Sequence, residues 1–312
     1  MSRCQSNIQW VGVDWGTTNL RAYALDCNNE LVESIESDNG MDSIPRNGFE
    51  PALTQFIEPW LFEHRRTVVV MSGMVGARQG WVEAAYRDTP CAATRSMELT
   101  KVSTQDRRVS VYIVPGVCQK APADVMRGEE TQIFGYLSNH NTFNGVICLP
   151  GTHSKWVCVS DSKIQRFRTW MTGELYALLS SRSVLRHSTR TDSWDETAFM
   201  DAAKVSLESM DDPMGNLFSV RANDLLHGAC AAQSKAALSG LLIGAECSAA
   251  LKWCGQTAHT PIALVGEGQL TQLYASVLTL AGMQSEVVDS ASATLSGLQL
   301  AANSVFLENS NA

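Results

Sequence analysis

The sequence lacks most of the features that would give a function away at once. It has nine cysteines (Cys4, Cys27, Cys91, Cys118, Cys148, Cys158, Cys230, Cys247 and Cys254), yet no two stand at C-x-x-C spacing. The odd count, the chain size and the absence of a signal-peptide pattern predict free thiols in a cytoplasmic protein. Cys148 and Cys158 sit inside apolar runs and read as small buried hydrophobes. No stretch approaches about 18 uninterrupted apolar residues, which excludes a spanning helix. The histidines lack metal-ligand spacing, which argues against a zinc site. Neither G-x-x-x-x-G-K-[ST] nor G-x-S-x-G occurs, and Gly266-x-Gly268-x-x is followed by Thr271 where a dinucleotide fingerprint needs glycine. The net charge of -8 argues against nucleic acid or an anionic membrane as partner. There are no solenoid-period repeats and no low-complexity tracts.

What is present is a globular composition of 312 residues, 45% hydrophobic and 18% charged, enough for two domains. The most informative stretch runs from Val11 to Asp26. An apolar run ends at Asp14, a turn of Gly16, Thr17, Thr18 and Asn19 follows, and alternation resumes at Leu20, so a β-hairpin is predicted. Gly16 allows close backbone approach, the N–H groups around Thr17 to Asn19 form a candidate anion site, and Asp14 can hold hydrated Mg²⁺. An ordinary hairpin, with these side chains serving only the turn backbone, is the competing reading.

The same logic recurs. Val146 to Leu149 forms a buried-type strand that stops at Pro150-Gly-Thr-His-Ser154, and a second hairpin over 155–170 turns at Asp161-Ser162. Pro261 to Val265 is a third strand, opening through Gly266-Glu-Gly268 into a helix over 270–280. Thr67 to Met71 and Val109 to Val114 are further strands, and 286–289 is the last. Residues 51–66 have helical spacing interrupted by Pro59. Helices are predicted over 174–186, 196–210 and 221–238. Leu175, Leu178 and Leu179, then Phe199, Ala203 and Leu207, then Leu225, Leu226 and Ala229 are their expected core positions. Ser239 to Glu246, with two glycines, punctuates that helical half, and a terminal helix carries Leu295 to Val305. Recurring hairpins predict α/β architecture in two lobes with mixed sheets, not one doubly wound sheet. Two hairpin turns facing one cleft would supply N–H groups to a triphosphate, and the Gly266/Gly268 junction would let a nucleoside lie against backbone.

Six stretches together resemble the 2-dehydro-3-deoxygalactonokinase family, within the superfamily of actin, hexokinase and heat-shock chaperone ATPases. They are VDWGTTNLRA (13–22), SGMVGARQGWVEAAY (72–86), VMRGEETQ (125–132), LPGTHSKWV (149–157), FRTWMTGEL (167–175) and LSGLLIGAE (238–246). The resemblance implies two actin-like, ribonuclease H-like lobes with an interlobe cleft. The boundaries are drawn at 1–134, with 291–312 added, and 135–290. It also implies ATP- and Mg²⁺-dependent phosphorylation of 2-dehydro-3-deoxy-D-galactonate at its 6-hydroxyl in galactonate breakdown. By the same resemblance Asp14, Gly16, Thr17, Thr18 and Asn19 belong at the phosphates, Gly151, Thr152 and His153 at a second phosphate turn, and Gly266 and Gly268 beside adenosine. Many superfamily members have an aspartate where this chain has Pro150, so metal binding rests on Asp14.

A kinase acting on an alcohol needs a carboxylate to orient or deprotonate the hydroxyl. Glu129 and Glu130 are the candidates, and their segment resembles the Gly-Glu-Glu of exopolyphosphatase relatives. At a helix start both acids can instead complement the helix dipole. The substrate carboxylate calls for a cation. Arg78 and Arg127 are favoured by their bidentate geometry over Lys155, which can approach phosphate, while Arg168 also lies in a matching stretch. Taken singly, each of these four reads first as a surface or lobe-bridging ion pair. Trp81 reads as a sugar wall or as core, and Glu83 as a hydroxyl acceptor. A phosphohydrolase, a ligand-sensing module without turnover and a kinase preferring the gluconate-derived epimer are the alternatives. The expected partners are the sugar acid and ATP, with oligomeric state, a homo-oligomer included, left open.

Overall fold

The structure, a computed structural model, describes residues 7–92, 97–208, 214–255 and 259–310. In chain order the strands are β1 (Trp10–Trp15), β2 (Leu20–Leu25), β3 (Leu31–Ser37), β4 (Thr67–Ser72), β5 (Tyr86–Asp88), β6 (Cys91–Ala92), β7 (Thr100–Val102), β8 (Val109–Ile113), β9 (Gly116–Lys120), β10 (Ala123–Met126), β11 (Gly145–Leu149), β12 (Ser154–Ser160), β13 (Lys163–Trp170), β14 (Ile262–Val265) and β15 (Ser285–Val288). The helices are α1 (Phe49–Phe56), α2 (Glu129–Asn139), α3 (Thr172–Arg182), α4 (Arg186–Thr189), α5 (Glu196–Glu208), α6 (Ser219–His227), α7 (Ala231–Cys254), α8 (Gly268–Leu280) and α9 (Ser290–Ser310).

The chain forms two compact units, one of residues 1–143, 161–165 and 290–312, the other of 144–160 and 166–289. The boundary drawn between 134 and 135 falls inside α2, which lies whole in unit 1. There α2 meets α9 almost backbone to backbone. A Cβ on Gly135 would stand 1.9 Å from the Ala293 carbonyl, and one on Gly297 would stand 2.0 Å from that of Thr131.

In unit 1 the main sheet has the order β3-β2-β1-β4-β8-β7. β1 pairs antiparallel with β2 and parallel with β4, and β4 pairs parallel with β8. The central strands are buried on both faces, as parallel strands under two helical layers must be. Val11, Val13 and Trp15 pack with Val69, Met71, Val111, Ile113 and Leu53 in one core. Pro59 does divide the 51–66 segment: α1 stops at Phe56 and a separate 3₁₀ turn, Glu58–Trp60, follows. A second, small sheet of β10, β9 and β5 carries the chain towards α2.

In unit 2 the strands β15, β14, β11, β12 and β13 lie in that order. β11 is antiparallel to β12 and parallel to β14, which is parallel to β15. The scheme is that of unit 1: a three-strand meander whose first strand is joined on its other side by two parallel strands. The β1–β2 turn after Asp14 and the β11–β12 turn at Pro150 are therefore equivalent positions in two copies of one architecture.

Three expectations differ from the structure. Ser239 to Glu246 does not interrupt the helical half; it lies inside α7, which runs 24 residues. Gly240 and Gly244 are there for close packing, since a Cβ on them would meet the Phe199 carbonyl at 2.2 Å and the Ala203 carbonyl at 2.6 Å of α5. The segment 221–238 is in turn two helices, separated at Gly228, whose φ of 66° ends α6. Leu175, Leu178, Leu225 and Leu226 are exposed, Leu226 by 76%, whereas Phe199 and Ala203 are buried as expected. Among the described residues the cysteines are free thiols, and no helix is long and apolar enough to cross a membrane; Cys4 lies outside the described residues.

Candidate active site

Unit 1 brings three chain segments together at the carboxyl ends of β1 and β4. Asp14, next to last in β1, lies opposite Ser72 of β4, whose hydroxyl is buried without a partner. Gly73 follows with φ 94°, and a Cβ there would lie 2.6 Å from the Trp15 carbonyl and 3.2 Å from Asp14 Oδ1. Gly128, with φ 104°, leads into α2, and its Cβ would lie 3.2 Å from the Gly73 Cα. Both positions require glycine for conformation and for space.

The hairpin turn is braced from one side. The carbonyls of Gly16, Thr17 and Thr18 accept N–H groups from Met41, Asp42 and Gly40, and Gly16 N–H donates to Asn19 O at 2.9 Å. Thr17, Thr18 and Asn19 are exposed. A turn whose carbonyls are engaged on one face is suited to offering N–H groups on the other.

At the start of α2, Glu129 Oε2 accepts the Arg127 N–H at 3.0 Å, and Glu130 Oε2 accepts the Gly128 N–H at 2.7 Å. The Thr131 hydroxyl donates to Glu130 Oε1 at 3.2 Å. Glu130 is wholly buried. Burial, reinforced by the Glu129 charge and only partly offset by Arg127 and backbone N–H groups, pushes its pKa up to about 8. Burial also raises Asp14 to about 6, with Arg21 opposing and Glu129 adding. An acid that only complements a helix dipole does so at the surface; full burial of Glu130 adds a desolvation cost that capping does not require. Asp14 and Glu129 feel each other's charge, yet no group of three or more His, Cys, Asp or Glu poised for a metal exists among the described residues. This donor set fits Mg²⁺ held by one or two carboxylates with water and phosphate oxygens, and not a closed protein cage.

The candidate cations separate clearly. Arg127 is 8% exposed; it donates to the Ala84 carbonyl at 2.7 Å and lies over the Tyr86 ring, and its Nε and Nη1 are buried without partners. Arg78 and Glu83 are exposed on the 72–86 loop, and Trp81 stacks on Phe49 at 6.3 Å against the unit 1 core. Lys155 and Arg168 belong to unit 2. Lys155 is buried and donates to the His153 carbonyl at 3.0 Å, behind the second turn. Arg168 is exposed over Trp170.

In unit 2 the second turn is fixed by α3. The Glu174 N–H donates to the Thr152 carbonyl, His153 Nε2 lies 2.6 Å from Glu174 Oε2, and a Cβ on Gly173 would meet the Gly151 carbonyl at 2.5 Å. Beside this turn is a cavity of about 250 Å³ lined by Gly151, Thr172, Gly173, Tyr176, Trp194, Leu270 and Tyr274, among others. Gly266 and Gly268 do not line it. They shape the β14–α8 junction, with Gly268 at φ 70°, that delivers Gln269 and Leu270 to its wall. Thr172, Gly173 and Glu174 lie within the FRTWMTGEL stretch, and sequence reasoning assigns them no role. The signal for them was the glycine one residue before an acid at a helix start.

A strand-end aspartate followed by a small-residue hairpin, on a sheet order that recurs in the second unit, is the architecture of the actin-like ATPase fold. The activator of the 2-hydroxyisocaproyl-CoA dehydratase from Clostridium difficile, solved with bound ADPNP, shares the fold at 11% identity and a TM-score of 0.51 over 97% of both chains. The model of the 2-keto-3-deoxy-galactonokinase family matches residues 14–301, and the chain belongs to that family of sugar-acid kinases. It is 33% identical to the 2-dehydro-3-deoxygalactonokinase of Escherichia coli (strain K12) over 95% of this chain and 98% of that protein. A crystal structure from Sinorhizobium meliloti, described as a candidate 2-dehydro-3-deoxygalactonokinase, superposes with a TM-score of 0.88 at 35% identity, covering 95% and 99%.

Proposed function

We propose that the chain transfers the γ-phosphoryl group of ATP to the 6-hydroxyl of 2-dehydro-3-deoxy-D-galactonate, releasing ADP and the 6-phosphate, with Glu130 as the proton acceptor. The observation that carries the assignment is the buried Glu130, tuned to about 8, in the assembly that also contains Asp14. A carboxylate poised near the working pH suits proton transfer from an alcohol, and perturbed groups of this kind concentrate at functional sites.

Chemical balance requires a new bond between O6 and phosphorus, cleavage of the β,γ-bridge to give ADP, and transfer of the hydroxyl proton to the Glu130 carboxylate. The N–H groups of Thr17 to Asn19 take phosphate oxygens. Asp14 would hold Mg²⁺, which when bound neutralises phosphate charge. Arg127, with two buried donors unsatisfied, takes the substrate carboxylate: an incoming anion would remove a desolvation cost of about 1–3 kcal/mol per orphaned donor. Trp81 serves the core instead of the sugar. In unit 2 the cavity beside Gly151 takes the nucleoside, and the turn at Gly151 and Thr152 takes phosphate oxygens, with His153 and Lys155 holding that turn in shape.

The test is a coupled ADP-release assay over a panel of 2-dehydro-3-deoxy sugar acids, with the product position read by phosphorus–carbon coupling. Turnover that depends on a sugar acid, highest with the galactonate-derived one and with phosphate at C6, supports the proposal. Phosphate release from ATP that is undiminished without sugar acid would make the chain a phosphohydrolase.

A further inference from the structure

Unit 2 buries a carboxylate that the mechanism above does not use. Glu246, near the middle of α7, is 2% exposed. Its Oε1 accepts Trp156 Nε1–H at 2.7 Å and its Oε2 accepts the Tyr274 hydroxyl at 2.7 Å. The Thr172 and Ser154 hydroxyls also bond it. Ser154 Oγ lies 2.9 Å from the Tyr274 hydroxyl, closing a ring of contacts. A carboxylate offers about four acceptor positions: Trp156, Tyr274 and Thr172 take three, and the single Ser154 proton is shared between the carboxylate and the Tyr274 oxygen.

The four donors come from different parts of the candidate nucleotide site. Ser154 ends the second turn, Trp156 lies two residues further along β12, Thr172 opens α3 beside Gly173, and Tyr274 comes from α8. Thr172 and Tyr274 themselves line the cavity. One side chain outside the cavity thus ties the turn assigned to phosphate to two walls of the pocket assigned to the base. A core that needed only stability would do as well with apolar packing, because a buried charge is costly unless geometry demands it.

We infer that Glu246 is a positioning residue for the nucleotide: through Ser154, Thr172 and Tyr274 it sets the placement of the Gly151–Ser154 turn against the cavity wall, and so the fit of the ATP phosphates. The inference rests on the nucleotide reading of unit 2. Glu246 reaches the nucleotide only through these partners.

The test uses Glu246→Gln and Tyr274→Phe in the full chain. The first keeps the shape but cannot accept all four bonds; the second keeps the ring in the cavity wall and deletes only the hydroxyl. Initial rates give KM for ATP and for the sugar acid, calorimetry gives the ADP Kd, and thermal unfolding reports the fold. Glu246→Gln is expected to raise the ATP KM and ADP Kd about tenfold, with the sugar-acid KM within about twofold of wild type. Tyr274→Phe is expected to shift the same two quantities in the same direction. Should Glu246→Gln fail to fold, Tyr274→Phe decides alone.

An unchanged ATP KM and ADP Kd, with or without a lower Tm, overturns the inference. So does an equal rise in KM for both substrates, which would mark general loosening. Leu242→Trp, which fills the cavity, separates this failure from the other. ADP binding that survives Leu242→Trp places the nucleotide elsewhere and defeats the reading of unit 2. ADP binding lost in Leu242→Trp but normal in the two network variants defeats the role of Glu246 alone.

Discussion

Gly128 and Gly73 touch backbone to backbone: a side chain begun on Gly128 would stand 3.2 Å from the Gly73 Cα. This contact sets the start of α2, with Glu129 and Glu130, against the strand end that carries Asp14. A methyl group at Gly73 would meet the Trp15 carbonyl at 2.6 Å on a backbone with φ 94°. Gly73→Ala is expected to cost about 1–3 kcal/mol of stability by strain. It is also expected to lower kcat more than tenfold by parting the two segments. Denaturant unfolding beside steady-state rates checks both.

Burial of Glu130 couples stability to pH. Its folded pKa of about 8 lies above the ordinary 4.5, so the folded state favours the protonated form. Stability is intact below pH 4.5 and is lost as pH rises from there through 8. The loss is on the order of 5 kcal/mol once the group is ionised in both states. Glu130→Gln removes that titration. Its Tm is expected to match wild type near pH 5 and to exceed it by roughly 5 °C at pH 8.5. Thermal unfolding at the two pH values tests the claim.

Gly173 gives a substrate-specific prediction. A Cβ there would press on the Gly151 carbonyl at 2.5 Å and push the second turn out of place. Gly173→Ala is expected to raise the KM for ATP by about tenfold with the sugar-acid KM nearly unchanged. Equal changes in both would assign the turn to something other than nucleotide.

Asp14 is the carboxylate we propose for magnesium, and its elevated pKa of about 6 follows mainly from burial. Chelation of divalent cations is expected to abolish turnover, restored by added Mg²⁺. Asp14→Asn is expected to lower kcat by at least about a hundredfold and to raise the Mg²⁺ concentration for half-maximal rate. Rates measured across a magnesium titration supply the comparison.

How far the sequence reaches depends on which interactions are local. The hairpins at Asp14 and Pro150 were legible because strand alternation, a small-residue turn and resumed alternation are all short-range signals. The duplicated architecture follows from their repetition. Gly240 and Gly244 were misread because glycine is both a helix breaker and the residue that lets helices touch, and only the position of α5 decides between them. Leu175, Leu178, Leu225 and Leu226 have helical spacing, but spacing does not say which side of a helix is covered. Of the site, the motif residues were visible as types. Sequence alone could not foretell the burial of Glu130, the unpaired donors of Arg127 or the stacking of Trp81 on Phe49, which arise from long-range packing. Glu246 stood in a quoted motif, yet its four partners come from three other stretches of chain.

The central claim is that Glu130 takes the proton from the sugar-acid hydroxyl, and turnover by Glu130→Gln tests it most directly. The measurement is ADP release with 2-dehydro-3-deoxygalactonate at saturating ATP, paired with the ADP Kd of the same preparation. The account predicts a fall in kcat of at least about a hundredfold, an ADP Kd within about twofold of wild type, and a much smaller loss in Glu129→Gln. A Glu130→Gln enzyme that turns over at near wild-type rate while binding ADP normally would contradict it.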